Sequence, residues 1–157
     1  MQTFIQLVLT ALQIGAVYVL FSLGLTLIFG VMKIVNFAHG QFFTLTALLI
    51  AVLYPVLAAQ GFSLLVAFGI AALLGISASI LLGLVMYQFG FRYFQRDLAG
   101  SFILSVGLVL LLEGIFLHYF GGAVRSVPPV VEGSVSFLGV NLTLQRLLLM
   151  LIAGLFT

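Results

Sequence analysis

The sequence has no cysteine, no tryptophan and very little charge. Without cysteine there is no disulfide, no thiolate metal site and no cysteine nucleophile. Five basic and three acidic residues in a chain of 157 amount to 5% charged residues, against roughly 25% in a domain that must keep its surface in water. That scarcity excludes a water-soluble globular fold. The net charge of +2 is too thinly spread for a nucleic-acid-binding patch and reads instead as a topology signal. Catalytic signatures are missing too: there is no Walker A sequence, no GxSxG elbow, no HExxH and no GxGxxG. The chain is not expected to be an enzyme or to hydrolyse ATP itself. No second His, Cys or carboxylate stands at metal-ligand spacing from His39, so neither a metal nor a cofactor is expected.

What is present is apolar. Hydrophobic residues make up 64% of the chain, and the mean hydropathy is +1.42. A helix crosses a hydrocarbon core of roughly 30 Å with about 20 mostly apolar residues. Residues 4–30, 41–59, 62–89 and 100–120 meet that requirement, and none shows the short alternating strands of an outer-membrane barrel. The expected fold class is all-α: a polytopic helical membrane protein with four full transmembrane helices plus the start of a fifth at 144–157. At 1.5 Å per residue the last segment's apolar run reaches only about 18 Å. Residues 1–157 are therefore expected to be one transmembrane domain, truncated, the N-terminal half of a longer protein. The N-terminus lacks a basic n-region, and its apolar run is longer than a signal h-region.

Between the spans the sequence predicts a tight turn around Tyr54-Pro55 and Gln60-Gly61, a charged loop at 90–97 and a polar stretch from 121 to 143. In the absence of tryptophan, interfacial anchoring falls to tyrosines, of which Tyr54, Tyr87, Tyr93 and Tyr119 lie near span ends. Lys33, Arg92 and Arg96 fall on one side of the membrane. The positive-inside rule makes that side cytoplasmic and puts the N-terminus outside, with Arg125 on the outer side weighing against it. Ala71, Gly75, Ser79 and Gly83 form a small-residue stripe at four-residue spacing, and Ser22, Thr26 and Gly30 form a shorter one. Such stripes let a neighbouring helix backbone come close.

The most informative stretch is GLTLIFGVMKIVNFAHGQ, residues 24–41, where a long apolar run meets a polar, glycine-bracketed break. Gly30 can end a helix, and Asn36 can cap the next one by accepting from the backbone N–H of residue 38 or 39. Gly40 allows close backbone approach. A helix start at membrane depth presents unpaired N–H groups and a partial positive charge, a device transporters use to hold an anionic group. The alternative is a cytoplasmic turn between two spans. His39 can donate to a solute or satisfy local backbone groups. Glu113 is the acidic residue well inside a span, where a carboxylate costs on the order of 3 kcal/mol by insertion scales. It is expected to face the bundle interior, as part of a solute path or as a hydrogen-bonded structural acid. The candidate path residues are Asn36, His39, Gly40 and Glu113.

Residues 24–40 resemble the N-terminal signature of the membrane permeases of branched-chain amino acid ABC importers, the LivH type. LSVGLVLLLE (104–113) followed by FGGAVRSVP (120–128) is similar to the same family, as are Leu138-Gly139-Val140 and Gln145-Arg146-Leu147. The resemblance implies a permease subunit in the cytoplasmic (inner) membrane that carries branched-chain or other hydrophobic amino acids. Its implied partners are a second, homologous permease subunit, two ATPase subunits and an extracytoplasmic substrate-binding protein, with membrane lipid around it. In that frame Arg125, in the outer loop, is a candidate docking residue for the binding protein. Family members are about twice as long as this chain, and many have no acid at the position of Glu113. Urea or short amides are family variants of the solute. From the residues alone, an ATP-independent channel or carrier and a structural membrane subunit stay open as alternatives.

Overall fold

The computed structural model describes residues 2–125, 127, 133–137, 140–144, 151 and 154. It divides into two compact units, Leu25–Pro128 and Met1–Gly24 with Pro129–Thr157. Four helices are long and apolar enough to cross a membrane: α1 (Gln2–Met32), α2 (His39–Ala59), α3 (Leu64–Phe89) and α4 (Leu98–Phe120). A single 3-10 turn (Phe91–Phe94) lies in the α3–α4 loop. The expected fifth span falls largely outside the described residues.

The larger unit is built on an antiparallel pair, α2 and α3, which close like a zipper along the predicted stripe. Ala67, Ala71 and Gly75 are buried on α3, and a Cβ built on Gly75 would lie 3.1 Å from both Cγ2 and the carbonyl oxygen of Thr46. Only glycine lets the two backbones come this close. Hydroxyls join across the same seam. Ser79 donates to the Phe42 carbonyl at 3.0 Å, and the Thr46 and Ser79 hydroxyls lie 2.8 Å apart. Thr46 Oγ1 is also 3.3 Å from the Gly75 carbonyl. Further along, Tyr54 packs edge-on to Phe68, with ring centroids 6.4 Å apart, over Ala67 and Ala71. The stripe on α1 differs: Ser22, Thr26 and Gly30 are exposed on the chain, and a Cβ on Gly30 would meet nothing. Where hydroxyls point outward along the spans they bond to their own helix, as Thr10 does to Gln6 and Ser77 to Leu73. This is how a polar group survives in lipid.

Two boundary expectations need correction. Helix α1 runs through Gly30 to Met32; the turn comes at Lys33, whose φ is +54° and whose N–H donates to the Phe29 carbonyl at 3.0 Å. Tyr54-Pro55 is no turn either, because α2 continues through Pro55 to Ala59 and the chain reverses at Gly61, where φ is +92°. Pro55 lies in the last turns, where one missing backbone bond is tolerated in a spanning helix. Tyr54 is therefore a core residue, 1% exposed, whereas Tyr93 and Tyr119 are largely exposed, as interfacial anchors are.

The second unit holds α1 as far as Gly24 and a hairpin that the reading of 121–143 as a polar stretch missed. Strands β1 (Ser134–Phe137) and β2 (Val140–Thr143) pair antiparallel, with Ser134 opposite Thr143 and Phe137 opposite Val140. The all-α reading holds for the spans, with this hairpin added.

The seam yields a direct test. Gly75→Leu is expected to overpack the α2–α3 contact and cost about 1–3 kcal/mol, read as a lower melting temperature and lower membrane yield. An unchanged melting temperature would mean the helices are not in this contact.

Candidate functional site

Residues 33–38 have no regular structure, yet they are not a solvated turn. Ile34, Asn36 and Ala38 are buried, while Lys33 and Phe37 are exposed. Ile34 and Ala38 enter one apolar cluster with Met86, Phe91, Leu112 and Phe116. The segment is fastened to the first turn of α4: the Val35 N–H donates to Ser101 Oγ at 3.2 Å, and that hydroxyl donates to the Leu98 carbonyl at 3.0 Å. Phe37 stacks edge-on to Phe102 with centroids 5.3 Å apart. At the start of α4 itself, Asp97 accepts from the Gly100 N–H at 2.9 Å, an N-cap of the usual carboxylate kind.

The α2 start is recessed. Phe42 pairs with Ser79 on α3, so His39 lies level with about residue 82, roughly 10 Å short of the α3 end at 1.5 Å per residue. The expectation that Asn36 caps this helix through its side chain is not met. Ala38 holds the cap position without a side-chain bond, and the Asn36 backbone carbonyl accepts from the His39 N–H at 3.3 Å. Asn36 Oδ1 is left buried with no hydrogen-bond partner among the described residues. The reason is conformational: the chain enters the helix through a turn at 37–38, which brings the backbone oxygen of Asn36, not its side chain, to the first N–H. A buried acceptor left unpaired costs about 1–3 kcal/mol and is uncommon in native proteins.

The other predicted residues do not converge on one cavity. His39 lines an apolar groove of about 350 Å³ with Phe43, Thr46 and Ile76, and its ring meets Phe43 edge-on at 5.3 Å. Gly40, in the first turn of α2, accepts from Thr44 Oγ1 at 3.2 Å. Glu113 opens onto a separate groove of about 320 Å³, lined also by Gln41, Thr44, Leu48 and Phe116. Within the described chain Glu113 is exposed rather than turned into the bundle, because the buried stripe of α4 is Ser101, Ser105, Leu112 and Phe116. Arg125 has a local role, donating from Nη2 to the Phe120 carbonyl at 2.7 Å, where a cation complements a helix C-terminus. Ser101 was missed by sequence reasoning; its signal was a small hydroxyl four residues before Ser105 on an otherwise apolar span. Among the described residues no group of three or more His, Cys, Asp or Glu could hold a metal ion.

Ser101→Ala removes the partner of a partly buried N–H without changing the packing volume much. It is expected to cost about 1–3 kcal/mol, seen as a fall in melting temperature; no fall would show that Val35 does not depend on this hydroxyl.

A family described as the permease component of the branched-chain amino acid transport system matches residues 7–157. The high-affinity branched-chain amino acid transport system permease protein BraD of Pseudomonas aeruginosa is 24% identical over 142 residues, 85% of this chain and 44% of that protein. The chain thus spans less than half the length of this curated relative. No solved structure matches it. A match over nearly the whole chain, on four helices long and apolar enough to cross a membrane with a break after the first, makes this a multi-pass membrane protein of the branched-chain amino acid transport permease family.

Proposed function

We propose that the chain forms part of the single transmembrane domain of an ATP-driven importer that moves branched-chain or other hydrophobic amino acids across the cytoplasmic membrane. The match to the permease family over residues 7–157 carries this reading. ATP is hydrolysed by two separate ATPase subunits, a second homologous permease completes the pore, and an extracytoplasmic binding protein delivers the solute. The N-terminus lies outside, so that Lys33, Arg92 and Arg96 share the cytoplasmic side. Arg125 then sits on the outer face, with donors beyond the one given to Phe120 for an acidic residue of the binding protein. Uptake of radiolabelled leucine into proteoliposomes holding the full-length permease is expected to require the ATPase subunits and ATP. Uptake driven instead by a proton or sodium gradient, without them, would make the protein a carrier.

Within this frame the solute path runs on the Glu113 side of α2. Two features support that choice. Glu113 costs on the order of 3 kcal/mol if left in lipid, so the groove it shares with Gln41 and Thr44 has to be covered by protein or filled with water. Asn36 meanwhile holds a buried acceptor in reserve at the recessed helix start, with Gly40 beside it. His39, on the other groove, braces helix packing. Asn36→Leu is expected to leave membrane yield unchanged or raised, since it removes an unpaired oxygen at similar volume, while lowering uptake several-fold. Glu113→Gln is expected to lower uptake several-fold at normal yield, because the carboxylate is suited to a solute ammonium group. Uptake unaltered by both changes would move the path elsewhere.

A further inference from the structure

The largest of the cavities described lies at the basic end of the bundle and takes no part in the transport reading. It has a volume of about 630 Å³, and Lys33, Arg96, Gln95 and Tyr87 supply its polar side against apolar walls such as Phe29 and Met32. Lys33 is presented there by the left-handed turn that ends α1. Gln95 Nε2 donates to the Tyr87 hydroxyl at 2.6 Å, which occupies that oxygen as an acceptor and leaves its own O–H to donate. An ammonium, a guanidinium and a phenolic O–H therefore meet at one opening, all of them donors. Asp97, the carboxylate next to Arg96, is engaged at the α4 N-terminus. Among the described residues neither Lys33 nor Arg96 is paired with an acid. Arg92, stacked 5.0 Å from the Tyr93 ring centre, adds to the positive field of the same loop.

We infer that this cavity binds the phosphodiester headgroup of an anionic phospholipid. Two cations and a hydroxyl match the phosphate oxygens. The apolar walls and the exposed helix ends beside them, where Val31 is 81% and Phe89 78% exposed, match glycerol and acyl chains. A freely soluble anion would use the donors and leave the walls unfilled. Basic pockets between spanning helices at the membrane surface are suited to such headgroups, each cation there contributing to the attraction of anionic lipid.

The test uses the full-length permease, delipidated in a neutral detergent and titrated with dioleoyl-phosphatidylglycerol or dioleoyl-phosphatidylcholine while the melting temperature is followed. Phosphatidylglycerol is expected to raise it and phosphatidylcholine not to. In Lys33→Gln/Arg96→Gln the apparent affinity for phosphatidylglycerol should fall roughly 30-fold, on the surface-electrostatic scale for two cations. The charge-preserving pair Lys33→Arg/Arg96→Lys should keep most of it. Equal stabilisation by both lipids, or an unchanged response in the glutamine variant, overturns the inference. So does inorganic phosphate reproducing the shift at the same concentration, which would make this a soluble-anion site.

Discussion

In a hydrocarbon solvent no water can satisfy a stray backbone N–H or carbonyl, and much of this structure follows from that constraint. Helices satisfy themselves, so four long apolar segments become four long helices. The difficulty is concentrated where the chain leaves α1 and enters α2 through six residues without regular structure. There the bonds are found one at a time: the Lys33 N–H on Phe29, the Val35 N–H on the Ser101 hydroxyl, the His39 N–H on Asn36. A break supported in this piecemeal way stands only because α4 and the α3–α4 loop are packed against it, through Phe91, Leu112 and Phe116. The local fold of residues 33–38 is therefore a property of the unit Leu25–Pro128 and not of its own sequence alone.

The same constraint sorts the polar side chains. Hydroxyls on the spans either return a bond to their own helix or join across the α2–α3 seam. The Tyr54 hydroxyl, buried without a hydrogen-bond partner among the described residues, does neither, and nor do two further groups. The Asn36 oxygen is buried and unpaired among the described residues, and Glu113 stands exposed on a membrane-crossing helix. Both would be costly in a finished protein surrounded only by lipid. The chain spans less than half the length of its curated relative, and these are the two polar groups for which lipid alone is the poorest surrounding.

Much of this was legible in the residues. The small-residue stripe on α3 and the positions of the spans follow from spacing and hydropathy alone, since a four-residue repeat of Ala, Gly and Ser has few other uses in lipid. Glycine was the poorer guide to chain reversal: Gly30 suggested a helix end, but in lipid the helix keeps its bonds for as long as it can and yields only at Lys33. Asn36 looked like a cap because Asn commonly is one, and tertiary burial overrode the local preference. Pro55 misled in the same way. The hairpin was foreshadowed by the alternation of Ser134, Val135, Ser136 and Phe137, a period of two that the surrounding apolar helices made easy to overlook. Which groove His39 and Glu113 each face depends on helix rotation within the bundle, and hydropathy this uniform around every helix gives no face to read.

The α2–α3 seam has a mechanical consequence. Two helices joined by backbone contact at Gly75, by a shared hydroxyl pair and by a buried tyrosine have no slack in which to slide, since close-packed contacts resist continuous deformation. They act as one lever. That lever joins the rest of its unit through residues 33–38, ahead of α2, and the loop at 90–97, after α3, which in an antiparallel pair lie at the same end, so that any movement of the pair as a whole is carried through that one end.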